Sequence, residues 1–444
     1  MARAKKEAAL TPEERLQAAL VPDWEWPYKL PGNWCWTYLT KAAECLDNFR
    51  KPINATERAG RNGNVPYYGA TGQVGWIDDF LTDEDLVLLG EDGAPFLDLI
   101  KDKAYLITGK AWVNNHAHIL RSLFGDTGNR YLLHYLNSFN YAGYVNGTTR
   151  LKLTRASMDT IPIPLPPLAE QQRIVDRIES LFAKLDEAKE KAQAVVDSFE
   201  TRKAAILHKA FTGELTAKWR EEHGVRMESW EVRTLDSVCS SIFDGDHMPP
   251  PKAESGIPFL VISNVNTGHL TFENTRFVPQ EYYDTLSDTR KPQLGDVLYT
   301  LVGSFGIPVV VNSKRPFCFQ RHMALLRPID VSPQFLWYIL QTPEMYDKAS
   351  SIATGTAQLT VPIKGLRAMT IPRPNIAEQV EIVRILDGFF AREQSAKEAA
   401  EAVLDQIDLM KKSILARAFR GELGTNDPSE ESAVELLKRG LEKK

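Results

Sequence analysis

The chain of 444 residues carries an internal duplication. The segment that begins at Ala169 aligns without gaps with the segment that begins at Ala377, and nearly half of the aligned positions are identical. A period of about 200 residues is too long for a solenoid and suits a repeated unit of one domain followed by one helix. The preceding segments match more loosely, as in NWCWTYL from Asn33 and SWEVRTL from Ser229. The duplication therefore predicts two variable heads, each followed by a similar helix.

Both repeated segments have the heptad pattern of a coiled coil. Their seam residues recur at alternating spacings of four and three, which lets two helices pack along one line. Prolines in IPIPLPPL and IPRPNI predict the helix starts, and Gly213 and Gly421 predict the ends, about 40 residues later. The seam consists of Ile174, Ile178, Leu181, Leu185, Ala188, Ala192, Val195, Phe199, Arg202 and Ile206 in the first helix, and of Ile382, Leu386, Phe389, Glu393, Ala396, Ala400, Val403, Ile407, Met410 and Ile414 in the second.

The two helices are predicted to pair with each other. A lone long coiled coil would ordinarily mediate oligomerisation, but two heptad helices in one chain can satisfy each other. Two copies of one unit tend to associate about a two-fold axis, so we expect the helices to run antiparallel, with the heads at opposite ends. The predicted fold class is α+β, with two α/β domains joined by two long antiparallel coiled-coil helices and an internal pseudo-two-fold repeat.

Each head combines short strand-like runs with one short amphipathic helix and glycine-rich turns. The runs include EDLVLLG and KAYLITG in the first head and GDVLYTLVG and IPVVVN in the second, with helices at 131–136 and 335–340. Trp34 and Trp230, equivalent in the repeat, are predicted to be core anchors. The predicted domains are an N-terminal helical extension (1–30), the first head (31–165), a central conserved helix and its exit (166–225), the second head (226–373), a distal conserved helix (374–423) and a C-terminal tail (424–444).

Polar side chains suited to DNA recur in both heads. Arginine or lysine can bond guanine, and asparagine or glutamine can bond adenine, in the major groove. The related loops NGTTRLKL and TGTAQLTV add a Gly-Thr turn whose N–H groups and neighbouring cations suit phosphate. Taken singly, each side chain is more simply explained as a turn or surface residue, so only their recurrence favours a DNA interface. The candidates are Tyr67, Tyr68, Thr71, Lys110, Asn114, Asn115, His116, Thr148, Thr149, Arg150 and Lys152 in the first head, and Asn264, Asn266, Gln320, Arg321, His322, Thr356, Gln358 and Lys364 in the second.

Composition and missing motifs narrow the class of protein. The net charge of −5 means that any DNA-binding surface must be local. The four cysteines lie far apart without a CxxC pair, and no secretion signal or long apolar run is present, so a cytoplasmic protein is expected. The chain has no phosphate loop, GxSxG elbow, HExxH or Asn/Asp-Pro-Pro-aromatic tetrad, which predicts a protein that is not an enzyme. No metal site is predicted, because His116 and His322 have no second ligand at metal spacing.

In this layout the chain resembles the specificity subunits of type I restriction-modification systems. The resemblance rests on the IPIPLPPLAEQ and IPRPNIAEQ helix starts, the AFTGELTAKWR and AFRGEL helix exits, and the LPGNW opening of the first head. It implies that each head is a target-recognition domain that reads one half of a bipartite site in double-stranded DNA. It also implies that the helices carry two methyltransferase subunits and that two restriction subunits join them. S-adenosylmethionine, ATP and magnesium would bind to those partners, and this chain would hold no cofactor.

Two alternatives stay open. The chain could be the recognition part of a single-chain restriction-methylation enzyme, but that enzyme would need catalytic motifs that this chain lacks. It could instead be a coiled-coil interaction protein without DNA function, which the two heads with DNA-suited side chains make less favourable.

Overall fold

The computed structural model describes residues 11–245, 247 and 249–443. Their contacts form two compact units, one drawn from residues before 194 and after 400, the other comprising Ala194–Ala400. Each unit holds one head and parts of both long helices. The first ten residues of the predicted N-terminal extension lie outside the described residues. Within the described ranges, no helix is both long and apolar enough to cross a membrane.

Among the described residues up to 165, short strands predominate, and one helix of 14 residues exceeds three turns. Strand β6 is buried along its whole length, as its unbroken apolar run predicts. The elements are α1 (Pro12–Gln17), β1 (Cys35–Tyr38), α2 (Leu39–Ala42), β2 (Ala43–Cys45), α3 (Ala55–Ala59), β3 (Val65–Gly69), β4 (Gly72–Ile77), β5 (Thr82–Asp83), β6 (Leu86–Gly90), β7 (Ala104–Ile107), β8 (Lys110–Val113), β9 (Ala117–Ser122), α4 (Gly125–Ser138), α5 (Arg155–Asp159) and β10 (Pro162–Leu165).

Along the chain, the long helices precede and follow the second head. The elements continue with α6 (Leu168–Asp197), α7 (Phe199–Phe211), α8 (Ala217–His223), β11 (Glu231–Thr234), α9 (Leu235–Val238), β12 (Cys239–Asp244), β13 (Ile257–Leu260), β14 (Arg276–Val278), α10 (Gln280–Thr285), β15 (Val297–Thr300), β16 (Pro308–Val310), β17 (Cys318–Phe319), β18 (Met323–Pro328), α11 (Pro333–Ile339), α12 (Pro343–Ile352), α13 (Ile363–Ala368), β19 (Thr370–Arg373), α14 (Ile376–Ala418) and α15 (Ala433–Glu442).

Two sheets build each head in corresponding order. They run β2–β9–β6–β7 and β4–β3–β8–β5 in the first head, and β12–β18–β15–β16 and β14–β13–β17 in the second. Strands β3 and β13 each pair antiparallel with the next strand and parallel with β8 or β17. Helix α4 packs on the sheet β2–β9–β6–β7, and helix α11 packs on the corresponding sheet β12–β18–β15–β16. The chain is therefore a mixed α+β protein, as predicted.

An antiparallel ribbon closes each head where the chain enters and leaves it. Strand β1 pairs with β10, and β11 pairs with β19. In the second head the paired residues run from Glu231 opposite Arg373 to Thr234 opposite Thr370. The first and last strands of each head are thus neighbours.

The long helices begin directly after the prolines, at Leu168 and Ile376. The second helix continues to Ala418, whereas the first is interrupted at Ser198. The Ser198 hydroxyl donates to the carbonyl of Ala194, and such back-bonding competes with the helical ladder and bends helices. Ser198 keeps right-handed helical angles (φ −83°, ψ −3°), so α6 and α7 together occupy the range of the predicted first helix, with a local irregularity at this residue.

Ion pairs join α6 and α7 to α14. In α6 and α14 the two chains of residues run in opposite directions, because a later residue of α6 pairs with an earlier residue of α14. In the first unit, Lys411 lies 2.5 Å from Asp186, and Lys189 lies 3.1 Å from Asp408. In the second unit, Arg202 Nε donates to Glu393 Oε2 at 2.7 Å. Two residues of the predicted seam, Arg202 and Glu393, are thus each other's partners.

The predicted seam residues differ in burial. Val403 and Met410 are exposed, whereas Leu404 and Lys411 next to them are half-buried, so the packed positions there lie one residue later than predicted. The seam residues that are buried are Ile174, Ile178, Ala192, Ile382, Leu386, Ala400 and Ile407. Most of the others are half-buried.

The described part of the N-terminal extension contacts the C-terminal tail. Helix α1 begins with a capping box between Thr11 and Glu14 and packs against α15. Ala19, Ala433 and Leu437 form a buried cluster there with residues of β1 and β10. The two segments without a counterpart in the repeat are therefore neighbours within the first unit.

Candidate nucleic-acid interface

One loop has the same backbone geometry in both heads. We call the two copies the Gly-Thr loops, residues 146–152 and 354–360, and the end residues of each form a β-bridge. The second residue, Gly147 or Gly355, has a φ of 113° in both. A Cβ at either glycine would overlap a carbonyl oxygen of its own loop, so only glycine fits.

Each Gly-Thr loop rests on a second glycine in the left-handed region, Gly93 with φ 74° or Gly303 with φ 73°. In both heads this glycine donates its N–H to a loop carbonyl at 3.0 Å. The side chains of Arg150 and Gln358 lie over these glycines, so close that a Cβ would crowd them. Arg150 and Gln358 therefore occupy equivalent positions.

In the first head a carboxylate holds Arg150 in place. Asp92 Oδ1 accepts from Arg150 at 2.8 Å and lies 2.7 Å from His116 Nδ1. The Arg150 side chain is still 59% exposed. Asp92 thus brings two of the predicted residues, His116 and Arg150, together at the surface.

A second carboxylate opposes the charge of Lys152. Glu91 lies 3.0 Å from Lys152 Nζ and also bonds Arg50. Burial opposes ionisation of Glu91, but the hydrogen bonds from Arg50 and Lys152 outweigh it and lower the pKa of the carboxyl group. Glu91 is therefore ionised at neutral pH, and Lys152, like Arg150, faces solvent with a carboxylate beside it.

The second head shares the backbone but not the charges. Val302 takes the β-bridge position of Asp92, so no carboxylate stands there. The carbonyl of His322 accepts the N–H of Leu301 at 2.8 Å, matching the bond from Glu91 to His116. Burial, together with the nearby Arg321 charge, lowers the pKa of His322, so its imidazole is neutral at pH 7.

Three predicted contact residues lie in the interior, where their side chains bond the protein. The Tyr67 hydroxyl accepts a backbone N–H at 3.3 Å, and Asn114 Oδ1 accepts another at 2.8 Å. The Asn264 amide accepts one backbone hydrogen bond and donates another. These side chains shape the heads from within, which their residue types alone did not indicate.

The remaining predicted residues reach the surface but form no single cluster. Lys110 lies over the ring of Phe80, 4.6 Å from its centroid, and Lys364 belongs to α13 rather than to the Gly-Thr loop. Exposed are Thr71, Lys110, Asn115, Thr148, Thr149, Arg150, Lys152, Asn266, Arg321, Thr356, Gln358 and Lys364, and half-buried are Tyr68, His116, Gln320 and His322.

Two buried glutamates at the helix starts were missed by the sequence analysis. The indole of Trp34 donates to Glu170 at 2.7 Å, and that of Trp230 donates to Glu378 at 2.9 Å. Both carboxylates are fully buried. The signal was present, since AEQ follows the prolines in both repeats, but a carboxylate at a helix start is ordinarily explained by the helix dipole alone.

Cys45, Asp47 and His118 form a group of donor atoms that could hold a metal ion. His118 Nδ1 lies 2.7 Å from Asp47, and its Nε2 donates to the carbonyl of Leu153 at 3.0 Å. Asp47 also accepts from Ile119 at 3.0 Å, and burial raises the pKa of the Cys45 thiol to about 12. The imidazole and the carboxylate already use these atoms on each other, so the group is explained as a buried link between strands.

The first unit also contains a cleft of about 790 Å³ between the head and the long helices. Its lining combines aromatic rings with cations, which suits an apolar segment that carries negative charge. The aromatic residues include Tyr28, Trp36, Phe139, Phe182 and Phe419, and the cations include Lys101, Lys411, Lys412 and Arg420.

Two heads of corresponding topology, each with the same surface loop and attached to long helices, define a two-headed recognition scaffold. The family model described as "Type I restriction modification DNA specificity domain" matches residues 46–196 and again 227–404. The two matches cover well over half of the chain, so this protein belongs to that family.

Individual relatives agree with this assignment. The chain is 27% identical over 311 residues to the type I restriction enzyme EcoKI specificity subunit of Escherichia coli strain K12, across 66% of this chain and 65% of that protein. It thus spans somewhat less than two thirds of that relative's length.

Two solved structures share the fold. One is a chain from a study of "complex assembly and conformational transition of the type I R-M system", with a TM-score of 0.65, 21% identity, and coverage of 89% of this chain and 100% of that chain. The other is the crystal structure of the HsdS subunit from Thermoanaerobacter tengcongensis, with a TM-score of 0.58, 22% identity, and coverage of 90% and 100%.

Proposed function

We propose that this chain is the non-catalytic DNA specificity subunit of a type I restriction-modification complex. Each head reads one half of a bipartite site in double-stranded DNA. The observation that carries the proposal is the recurrence of the Gly-Thr loop, with Arg150 and Gln358 at equivalent positions, in two heads that both match the specificity-domain model. A loop common to both heads suits the sequence-independent part of binding, which is contact with the phosphate backbone.

The finer architecture is part of the same proposal. The long helices form an antiparallel coiled coil, which the reversed order of the two ion pairs in the first unit supports. The chain is built as a pseudo-two-fold repeat, which the corresponding strand orders support. Its target-recognition domains span residues 31–165 and 226–373.

Catalysis is assigned to partners. Two methyltransferase subunits and two restriction subunits bind this chain in the cytoplasm, and S-adenosylmethionine, ATP and magnesium bind to them. The cleft of the first unit suits a methyltransferase segment that is apolar on one face and acidic on its edge, because aromatic rings line it and cations surround it.

The decisive experiment combines this chain with its methyltransferase subunit and maps methylated adenines on genomic DNA. We expect a bipartite motif with a fixed unspecified gap, and no methylation when this chain is omitted. Methylation by this chain alone would support the single-chain enzyme. Assembly with the methyltransferase but no sequence-specific mark would support the coiled-coil protein without DNA function.

Charge reversal at Arg150 or Lys152 is expected to weaken DNA binding to all sequences alike. Phosphate contacts position a protein without specifying bases, so each lost contact should reduce the slope of log K against log salt by about one. Binding titrations over a range of salt concentrations, on cognate and random duplexes, measure both effects. Lost discrimination at one base with an unchanged slope would make the residue a base reader instead.

A further inference from the structure

Heads that read different half-sites must differ where they contact bases. The Gly-Thr loops share one backbone geometry in both heads and suit phosphate contact, so base-reading residues are sought elsewhere. The strands β3 and β4 of the first head are joined by a tight turn, whereas β13 and β14 of the second are separated by the longer segment 261–275. The β3–β4 hairpin is therefore a distinctive surface of the first head.

Arg58 lies against this hairpin, and its half-buried guanidinium contacts an aromatic ring but has no ion-pair partner among the described residues. Its guanidinium carbon is 4.8 Å from the centroid of the Tyr67 ring, and its stem borders Gly75 on β4. Among the described residues, no carboxylate lies within ion-pair distance of Arg58, and its side chain makes no hydrogen bond. The cation–π contact positions the guanidinium while its N–H groups stay free.

Arg61, just beyond the end of α3, provides the contrast. Its guanidinium also lies 4.7 Å from the centroid of an aromatic ring, that of Trp112, but it is bonded to Asp78 at 2.6 to 2.7 Å. That hydrogen bond, opposed slightly by burial, lowers the pKa of Asp78, so the carboxylate stays ionised and paired. Arg61 therefore has its bonding edge engaged, and Arg58 does not.

The surroundings of Arg58 suit the edge of a base pair. Tyr67 is 2% exposed and bonded to the backbone at Ile53, so the platform under the guanidinium is rigid. On the neighbouring strand, the apolar side chain of Val74 is 49% exposed. A two-stranded ribbon fits the major groove, where arginine bonds guanine O6 and N7 and apolar groups contact the thymine methyl.

We propose that Arg58 is a specificity-determining residue of the first head and reads a guanine in the half-site of that head. The inference rests on the proposed function, because it requires the chain to bind DNA. The unpaired guanidinium supplies both donors of a bidentate contact at low cost in ordering, since its contact with the Tyr67 ring already restricts its position.

The test uses the assembled complex of this chain and its methyltransferase, with genome-wide mapping of methylated adenines. For Arg58→Gln we expect one position of one half-site to become degenerate, with discrimination at that base falling on the order of ten- to a hundredfold. Arg58→Lys keeps the charge but lacks the fork, so it should lose less discrimination at the same base than Arg58→Gln, and it serves as the variant that retains the fold. Arg61→Gln is the matched control and should leave the motif unchanged.

The outcomes separate the two levels of inference. An unchanged motif in both Arg58 variants would overturn the assignment, and so would uniformly weaker methylation of the wild-type motif with a reduced salt slope, which is the mark of a phosphate contact. If the wild-type complex itself yields no bipartite motif, the proposed function fails before Arg58 is tested.

Discussion

Replacing residues 229–373 with the corresponding head of another family member is expected to change one half of the recognised DNA sequence completely and to leave the other half unchanged. The reason is that each head has its own sheets and its own buried clusters. A domain with its own core can be exchanged while its neighbour keeps its structure. Methylation mapping of the hybrid complex measures the new motif directly.

The structure makes the graft points favourable. Glu231 and Arg373 face each other across the ribbon of β11 and β19, so both junctions fall at one place. The graft must also fit the helices, since Phe211 stacks edge-on against Phe335 and Tyr338 donates to Asp387 at 2.5 Å. The donor head should therefore have aromatic residues at the positions that correspond to Phe335 and Tyr338.

A matched control exchanges the head for one that recognises the same half-site in another protein. This hybrid should keep the parental motif, which shows that the junctions themselves are harmless. A change in both half-sites after the first exchange would contradict independent reading by two heads.

The helix starts and ends could be predicted because local chemistry decides them. Proline excludes a preceding helical turn, and Gly213 and Gly421 take φ values of 86° and 72° just beyond the helices. The interruption at Ser198 could not be predicted in the same way. It depends on one hydroxyl that turns back to a carbonyl, and most helical serines do not interrupt their helix.

The candidate site was harder to predict than the fold. Asn114 and Asn264 have the residue type of adenine readers, yet their amides are used inside the heads, and only tertiary contacts reveal this. Arg58 was overlooked for the opposite reason. A lone arginine in a sequence is an ordinary surface residue, and its value as a reader arises from Tyr67 beneath it and from the lack of a carboxylate beside it among the described residues.

The largest effect on stability is expected for Glu378→Ala. Glu378 is fully buried at the start of α14 and accepts from Thr216 at 2.7 Å, Arg220 at 2.6 Å and Trp230 at 2.9 Å. Arg220 is only 8% exposed, so the substitution leaves a buried cation without its carboxylate. Breaking one side of such a pair costs about 3–5 kcal/mol. For a unit of this size, that lowers the melting temperature by about 10 °C.

Thermal unfolding followed by circular dichroism measures the change, and the chain offers a control on the same helix. Within the described part of the chain, Glu381 bonds only Arg384, whose side chain is 69% exposed, and Glu381→Ala should leave the melting temperature within error of the wild type. The double variant Glu378→Leu with Arg220→Met removes both charges and should recover much of the loss, because the penalty arises from the unpaired cation rather than from a missing attraction. Equal melting temperatures for Glu378→Ala and Glu381→Ala would show that the buried carboxylate does not hold the second head to its helix.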